Sequence, residues 1–253
     1  MTPGDADLGP EPPLQGPART RIPPISGLVL LTDRREVVGR GPLVEVVAAA
    51  VAGGVRWVVL RELDLPRTER LALAAELRPI LAEAGGILAV AGPDPLLDNA
   101  IATATAVREV AVPRAAVTAR CIAGAHPLVA LHLSAGGPYP PPDADMVGRS
   151  CHDEAELRRL STEDYVTLSP VFPTRTKPGY GPPLLPEGLA ELIRLSPVPA
   201  IALGGIETPA QVRACVEAGA AGVAVLGAIM RAPDPEQTAA ALTNALEQAT
   251  ANH

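Results

Sequence analysis

The chain has 253 residues, 47% of them hydrophobic, 19% charged and only 2% aromatic, and carries a formal charge of −7. That length and apolar content can bury a sizeable core and exclude wholesale disorder. The acidic balance and the scarcity of rings exclude a general nucleic-acid binder, which needs cations for phosphates and aromatics for stacking.

Residues 1–27 are rich in Pro and Gly and carry acids early. They lack the basic start and apolar middle of a signal peptide and read as a disordered leader. The longest apolar-looking stretch, Leu43 to Leu60, is broken by Glu45, Gly53, Gly54 and Arg56. No run approaches the ~20 apolar residues of a membrane span. Cys121, Cys151 and Cys215 are odd in number and far apart, with neither a disulfide framework nor a metal-ligand spacing. These features predict a soluble cytoplasmic protein with no membrane or nucleic-acid partner. The composition suits a homodimer as well as a monomer.

From Leu28 short apolar runs alternate with longer Ala- and Leu-rich stretches. Strands are predicted at Leu28–Thr32, Trp57–Arg61, Ile87–Val90, Val107–Val112, Asp145–Gly148, Tyr165–Leu168, Ala200–Leu203 and Gly222–Val225. Helical patterns fall near 42–52, 66–84, 94–103, 115–123, 153–160, 186–195, 208–218 and 235–249. Short, continuously apolar strands with intervening helices indicate a parallel sheet covered on both sides. Eight such units in this length favour a single α/β domain, a (β/α)8 TIM barrel over residues 28–253, rather than an open sheet. Thr208-Pro209 and Asp234-Pro235-Glu236 read as helix starts, and Gly219 as a helix end. His126–Asp143, with Gly-Gly-Pro-Tyr-Pro-Pro-Pro-Asp, is too proline-rich for a helix and is expected as an insertion before strand five.

In such barrels chemistry sits where strand carboxyl ends run into loops. After strand seven comes Gly204-Gly205, and after strand eight Leu226-Gly227. Small turns at these two loops let backbone N–H groups approach an anion, with a helix N-terminus behind them, so a phosphate site is expected. The bland reading of a Gly-Gly pair is a tight turn. After strand six, Thr174, Thr176 and Lys177 lie on a Pro/Gly-stiffened loop that suits a phosphorylated ligand and is long enough to close as a lid. His152 follows strand five, where a histidine can act as general acid and base; it could equally cap the next helix. His126, His132 and His253 receive no role. Cys151 is set aside as a nucleophile because adjacent residues on a strand point apart. Asp33 and Glu62 stand isolated in sequence and no histidine pair has ligand spacing, so no metal is expected.

Together these motifs resemble the superfamily of thiamine phosphate synthase and TenI, over nearly everything from Leu28 to Ala249. The resemblance rests on Leu30-Leu-Thr-Asp33, Gly148-Arg-Ser-Cys-His152, the block from Asp164 to Lys177, Ala200 to Ile206, and Gly219 to Ile229. It implies a barrel acting on phosphorylated thiazoles. The synthase pattern after strand two is Gln-Leu-Arg-Glu-Lys; here Arg61 and Glu62 persist while Val59 and Leu63 replace glutamine and lysine. After strand three the synthase shows Asn-Asp-Arg, whose aspartate helps hold magnesium, against Ala91-Gly92-Pro93 here. Its Val-His-Leu-Gly-Gln after strand four is matched to Val110-Ala111-Val112-Pro113-Arg114.

The thiazole-phosphate end is kept in Thr174, Thr176, Gly204, Gly205 and the backbone at Leu226-Gly227, and the diphosphate end is depleted. That combination is similar to TenI, a thiazole tautomerase. It implies a thiazole phosphate-type substrate, no cofactor, and His152 as the proton shuttle, with Lys177, Arg61 and Ser150 among the binding residues. Two alternatives stay open. One is a divergent thiamine phosphate synthase using Mg²⁺ and drawing on Arg61, Ser150, Arg149 and Lys177 for the diphosphate. The other is a non-catalytic protein that keeps the phosphate site alone.

Overall fold

In the computed structural model, which describes residues 26–37, 39, 41–97, 128–175 and 181–252, eight parallel strands close into one barrel in sequence order. They are β1 (Gly27–Leu31), β2 (Trp57–Leu60), β3 (Ile87–Ala91), β4 (Ala130–Leu133), β5 (Met146–Cys151), β6 (Tyr165–Leu168), β7 (Ala200–Leu203) and β8 (Gly222–Val225). Closure runs through β1 and β8, from Gly27 beside Gly222 to Leu30 beside Val225. The fold is the expected (β/α)8 barrel.

Helices among the described residues are α1 (Leu43–Ala52), α2 (Arg67–Glu83), α3 (Glu154–Leu157), α4 (Leu185–Leu195), α5 (Pro209–Glu217), α6 (Gly227–Met230) and α7 (Pro235–Ala251). α7 buries Ala239, Leu242, Ala245, Leu246 and Ala249, a stripe at helical spacing that packs on α1 and α5. Caps fix where these helices start. Thr208 accepts from the Gln211 N–H and Gln211 returns a bond to the Thr208 backbone, a full capping box before α5. Asp234 accepts from the Gln237 N–H at the head of α7.

The fourth strand corrects the sequence expectation. Residues 107–112 lie outside the described residues, and the place between β3 and β5 is filled by Ala130–Leu133, inside the stretch expected as an insertion. Residues 134–145 then connect β4 to β5. His132 interrupts the apolar run, and the Gly/Pro cluster behind it made the whole segment read as loop. β5 also runs on through Arg149, Ser150 and Cys151. The helix expected near 94–103 does not form over its described part, where Leu96 takes a positive φ of 50°; residues 98–103 and the helix expected near 115–123 lie outside the described residues.

Polar side chains occupy part of the barrel interior. Tyr165 fills the space that a Cβ on Gly148 would need. Trp57 meets its ring edge-on at 5.6 Å and His132 stacks on it at the same distance. No described helix is long and apolar enough to cross a membrane.

Candidate active site

One pocket opens at the carboxyl ends of the strands. It is lined by Arg61, Ser150, His152, Thr174, Gly204, Gly205, Leu226 and Gly227, and also by His132, Glu207 and Arg231. All the anticipated site residues that are described thus share one cavity. Thr176 and Lys177 lie outside the described residues.

Gly204 and Gly205 have φ of 102° and 69°, a region L side chains rarely adopt. A Cβ on Gly205 would overlap the carbonyls of Phe172 and Pro173, and one on Gly204 would press on Pro170. The pair therefore lets the β6 loop lie directly on the β7 loop, with Val171 and Phe172 N–H groups donating to the carbonyls of Leu203 and Gly204. The tight turn and the open cavity wall are the same feature. At Gly227 the space of a Cβ is taken by the Arg231 guanidinium.

His152 is anchored by Glu156. Its Nδ1 lies 2.9 Å from Glu156 Oε2, and the same oxygen accepts from the His152 backbone N–H at 2.7 Å. Asp153 caps α3 by accepting from the Glu156 N–H, so the helix start holds the carboxylate in place. A carboxylate on Nδ1 selects the tautomer with the proton there and makes Nε2 the basic nitrogen. Sequence reasoning passed over Glu156, although its i+4 spacing from His152 across a helix start was the available signal.

Deeper in, His132 is buried, with Nδ1 3.1 Å from the Tyr165 hydroxyl and Nε2 3.0 Å from Ser150 Oγ. Burial, then the charges of Arg61 and Arg149, lower its pKa from the ordinary 6.5 to about 4. It is a neutral imidazole, one nitrogen donating and the other accepting, that fixes Ser150 at the pocket floor. His132 was assigned no role, and the structure corrects that. The β4 placement also returns a His-Leu pair to the strand-four position, followed by Ser134 and Ala135.

Arg149 is not available to a diphosphate, contrary to the synthase alternative. With Glu163 it forms a pair in which both side chains are fully buried, Nε donating to Oε1 at 2.6 Å. Its other nitrogens donate to the carbonyls of Ser134 and Pro138, and it packs over the Tyr139 ring. Cys151, also fully buried, has its pKa pushed up to about 12 by burial, which keeps it a thiol.

The synthase chemistry implied by the resemblance would need Mg²⁺. The described carboxylates do not fit it. Asp33 is held by Arg35, Glu62 by Arg34, and Asp94 by Arg67. Among the described residues no group of three or more His, Cys, Asp or Glu is placed to hold a metal. Arg61 lines the pocket with burial opposing its charge and Asp33 and Glu62 favouring it. Its guanidinium has no hydrogen-bond partner among the described residues.

The family profile described as TMP-TENI, thiamine monophosphate synthase, matches residues 28–118 and 141–229. The chain belongs to this family. A putative thiamine-phosphate synthase of Geobacter sulfurreducens is 35% identical over 217 residues, covering 85% of this chain and 92% of that protein. A thiamine-phosphate synthase of Roseiflexus sp. is 30% identical over 236 residues, 87% of this chain and 86% of that one. Among solved structures, the thiamine phosphate pyrophosphorylase from Pyrococcus furiosus superposes with a TM-score of 0.63 at 22% identity, covering 88% of this chain and 96% of that chain, a likeness of fold. These relatives place the chain among enzymes of thiamine biosynthesis. The two matched segments pass over β4, where His132 lies.

Proposed function

We propose that this chain is a TenI-like thiazole phosphate tautomerase, converting the non-aromatic carboxythiazole phosphate to its aromatic isomer. The reading is carried by the His152–Glu156 dyad at the pocket, while Asp33, Glu62 and Asp94 are each engaged by an arginine. The phosphate lies against Thr174 and the β7 and β8 loops, and Thr176 and Lys177 follow Thr174 in the sequence. Arg61 and Ser150 hold the ring end. His152 Nε2 takes the C2 proton of the ring, and the imidazolium so formed is stabilised by Glu156. The same nitrogen returns a proton to the exocyclic carbon, and the ring becomes aromatic. One proton leaves and one arrives, so no oxidant, metal or cofactor is required. Positioned acid–base catalysis of this kind contributes about 10²–10⁴-fold.

The relatives' names favour a second reading, a thiamine phosphate synthase that joins hydroxymethylpyrimidine diphosphate to thiazole phosphate. That reading asks the described pocket to hold a diphosphate with Arg149 turned away and the neighbouring acids already paired. The deciding experiment follows the ultraviolet or NMR signal of the non-aromatic tautomer with wild type, His152→Ala and an enzyme-free blank. Acceleration over the blank, reduced about 10²–10⁴-fold in His152→Ala, is expected. Wild-type turnover no faster than the blank overturns the tautomerase, and magnesium-dependent pyrophosphate release from the two synthase substrates would then establish the second reading.

A further inference from the structure

Arg231 was not singled out by the sequence, yet three features of its setting converge. It lines the pocket. It lies four residues after Gly227, and its backbone N–H donates to the Gly227 carbonyl. Side chains on a helix lean towards its N-terminus, so residue i+4 folds back over residue i. The missing side chain of Gly227 is what lets the guanidinium settle there. Thirdly, two carboxylates from distant loops hold it: Nη1 donates to Glu36 at 2.5 Å, and Nη2 to Glu207 at 3.1 Å. Glu36 follows β1 and Glu207 follows β7, so one guanidinium ties the β1, β7 and β8 loops together at the cavity.

A guanidinium has five N–H donors in a fixed fork. Two are spent on Glu36 and Glu207 among the described residues, and the side chain stays about one-third exposed at 31%. We propose that Arg231 is a recognition residue for the substrate's phosphate, presenting its remaining donors beside Gly227, with Glu36 and Glu207 as built-in counter-charges that moderate the affinity. This deepens the phosphate site of the reading above and rests on its placement of the phosphate at the β7 and β8 loops. A cation facing two carboxylates leaves the cluster one negative charge in excess. It therefore does not attract anions indiscriminately, and an anion gains most by matching the fork's geometry.

The experiment titrates inorganic phosphate, thiazole phosphate and the dephosphorylated thiazole alcohol into wild type, Arg231→Met, Arg231→Lys, Glu36→Gln and Glu207→Gln. Circular dichroism and thermal melting confirm folding of each variant. Arg231→Met is expected to weaken both phosphates on the order of tenfold or more while leaving the alcohol unchanged. Arg231→Lys should recover part of that loss, since the charge stays and the fork goes. Glu36→Gln and Glu207→Gln should each tighten phosphate a few-fold, more so at low salt, because a like charge is removed from beside the anion. This direction separates recognition from a purely structural latch, for which loss of either glutamate loosens the loops and weakens binding. Unchanged phosphate affinity in Arg231→Met, weaker phosphate binding in both glutamate variants, or no phosphate binding by wild type overturns the proposal. Phosphate binding that depends on Arg231 without any tautomer turnover leaves this inference standing and removes the tautomerase instead.

Discussion

The two halves of the barrel use charge and space differently. Around β1–β3 the carboxyl-end loops are crowded with arginine–carboxylate pairs whose arginines reach the surface: Arg34 with Glu62 and Asp64, Arg35 with Asp33, Arg67 with Asp94. Around β5–β8 the loops are lined by glycine turns, hydroxyls and the His152–Glu156 dyad, and the Arg149–Glu163 pair lies wholly inside the wall. Charges that are paired near water contribute little to stability. Most of the pocket's lining comes from the second half. On this contrast, breaking the buried pair in the β5–β8 half should cost several-fold more free energy than breaking an exposed pair at the β1–β3 rim.

The largest effect is expected inside the wall. Arg149→Met strands the Glu163 carboxylate in the interior and releases the carbonyls of Ser134 and Pro138. Breaking a buried pair from one side costs about 3–5 kcal/mol. Chemical denaturation should show that loss. A double replacement, Arg149→Met with Glu163→Leu, should recover part of it, because no buried charge is then left alone. A single-mutant cost below about 1 kcal/mol, the scale of a surface pair, would show that the pair does not clamp the β4–β5 connection.

His132 cuts across the contrast, since β4 supplies it while its partners Tyr165 and Ser150 come from β6 and β5. Its pKa, about 4 when folded, lies below the 6.5 of an unfolded histidine. Between those values the unfolded chain binds a proton that the folded chain excludes. The contribution is therefore fully present above about pH 6.5 and is lost as pH falls towards 4. Unfolding free energy should drop by about 2 kcal/mol from pH 7 to pH 5 on this account alone. His132→Gln should remove that part of the slope. An identical slope in the variant would mean that other groups set the acid sensitivity.

Much of this architecture was legible in the sequence. β6, β7 and β8 were read residue for residue because each is a short apolar run bounded by Gly, Pro or polar turns. The polar residues on strands were harder. Arg149 and Ser150 extend β5, and His132 sits in β4, because these barrel strands carry polar side chains where an apolar pattern is expected. The Gly204-Gly205 pair was legible as a tight turn after β7, but not the reason for it, which is the β6 loop lying against it. Contacts such as Arg231 with Glu36, 195 residues apart, leave no local pattern at all.

Gly205→Ala probes that turn. The new Cβ meets the carbonyls of Phe172 and Pro173, and the φ of 69° is unfavourable for alanine. Left-handed strain and overpacking together cost about 2–5 kcal/mol. Thermal melting should register the loss, and phosphate affinity should fall with it, because the β6 loop bearing Thr174 is pushed off the β7 loop. Lost stability with unchanged phosphate binding would separate the turn's packing role from the cavity.

The smallest effect is expected at the opposite rim, and it tests the comparison most directly. Asp94 receives Arg67 Nε at 2.7 Å, a distance close to that of the Arg149–Glu163 pair. The two side chains are 51% and 36% exposed, against 0% for both members of the buried pair. Geometry is shared and burial is not. Asp94→Asn keeps an oxygen to accept from the Leu96 N–H and removes the charge together with the oxygen that accepts from Arg67 Nε. The expected cost is below about 1 kcal/mol and should shrink further as salt is added. A cost equal to that of Arg149→Met would mean that hydrogen-bond geometry, and not exclusion of water, sets the value of an ion pair in this barrel.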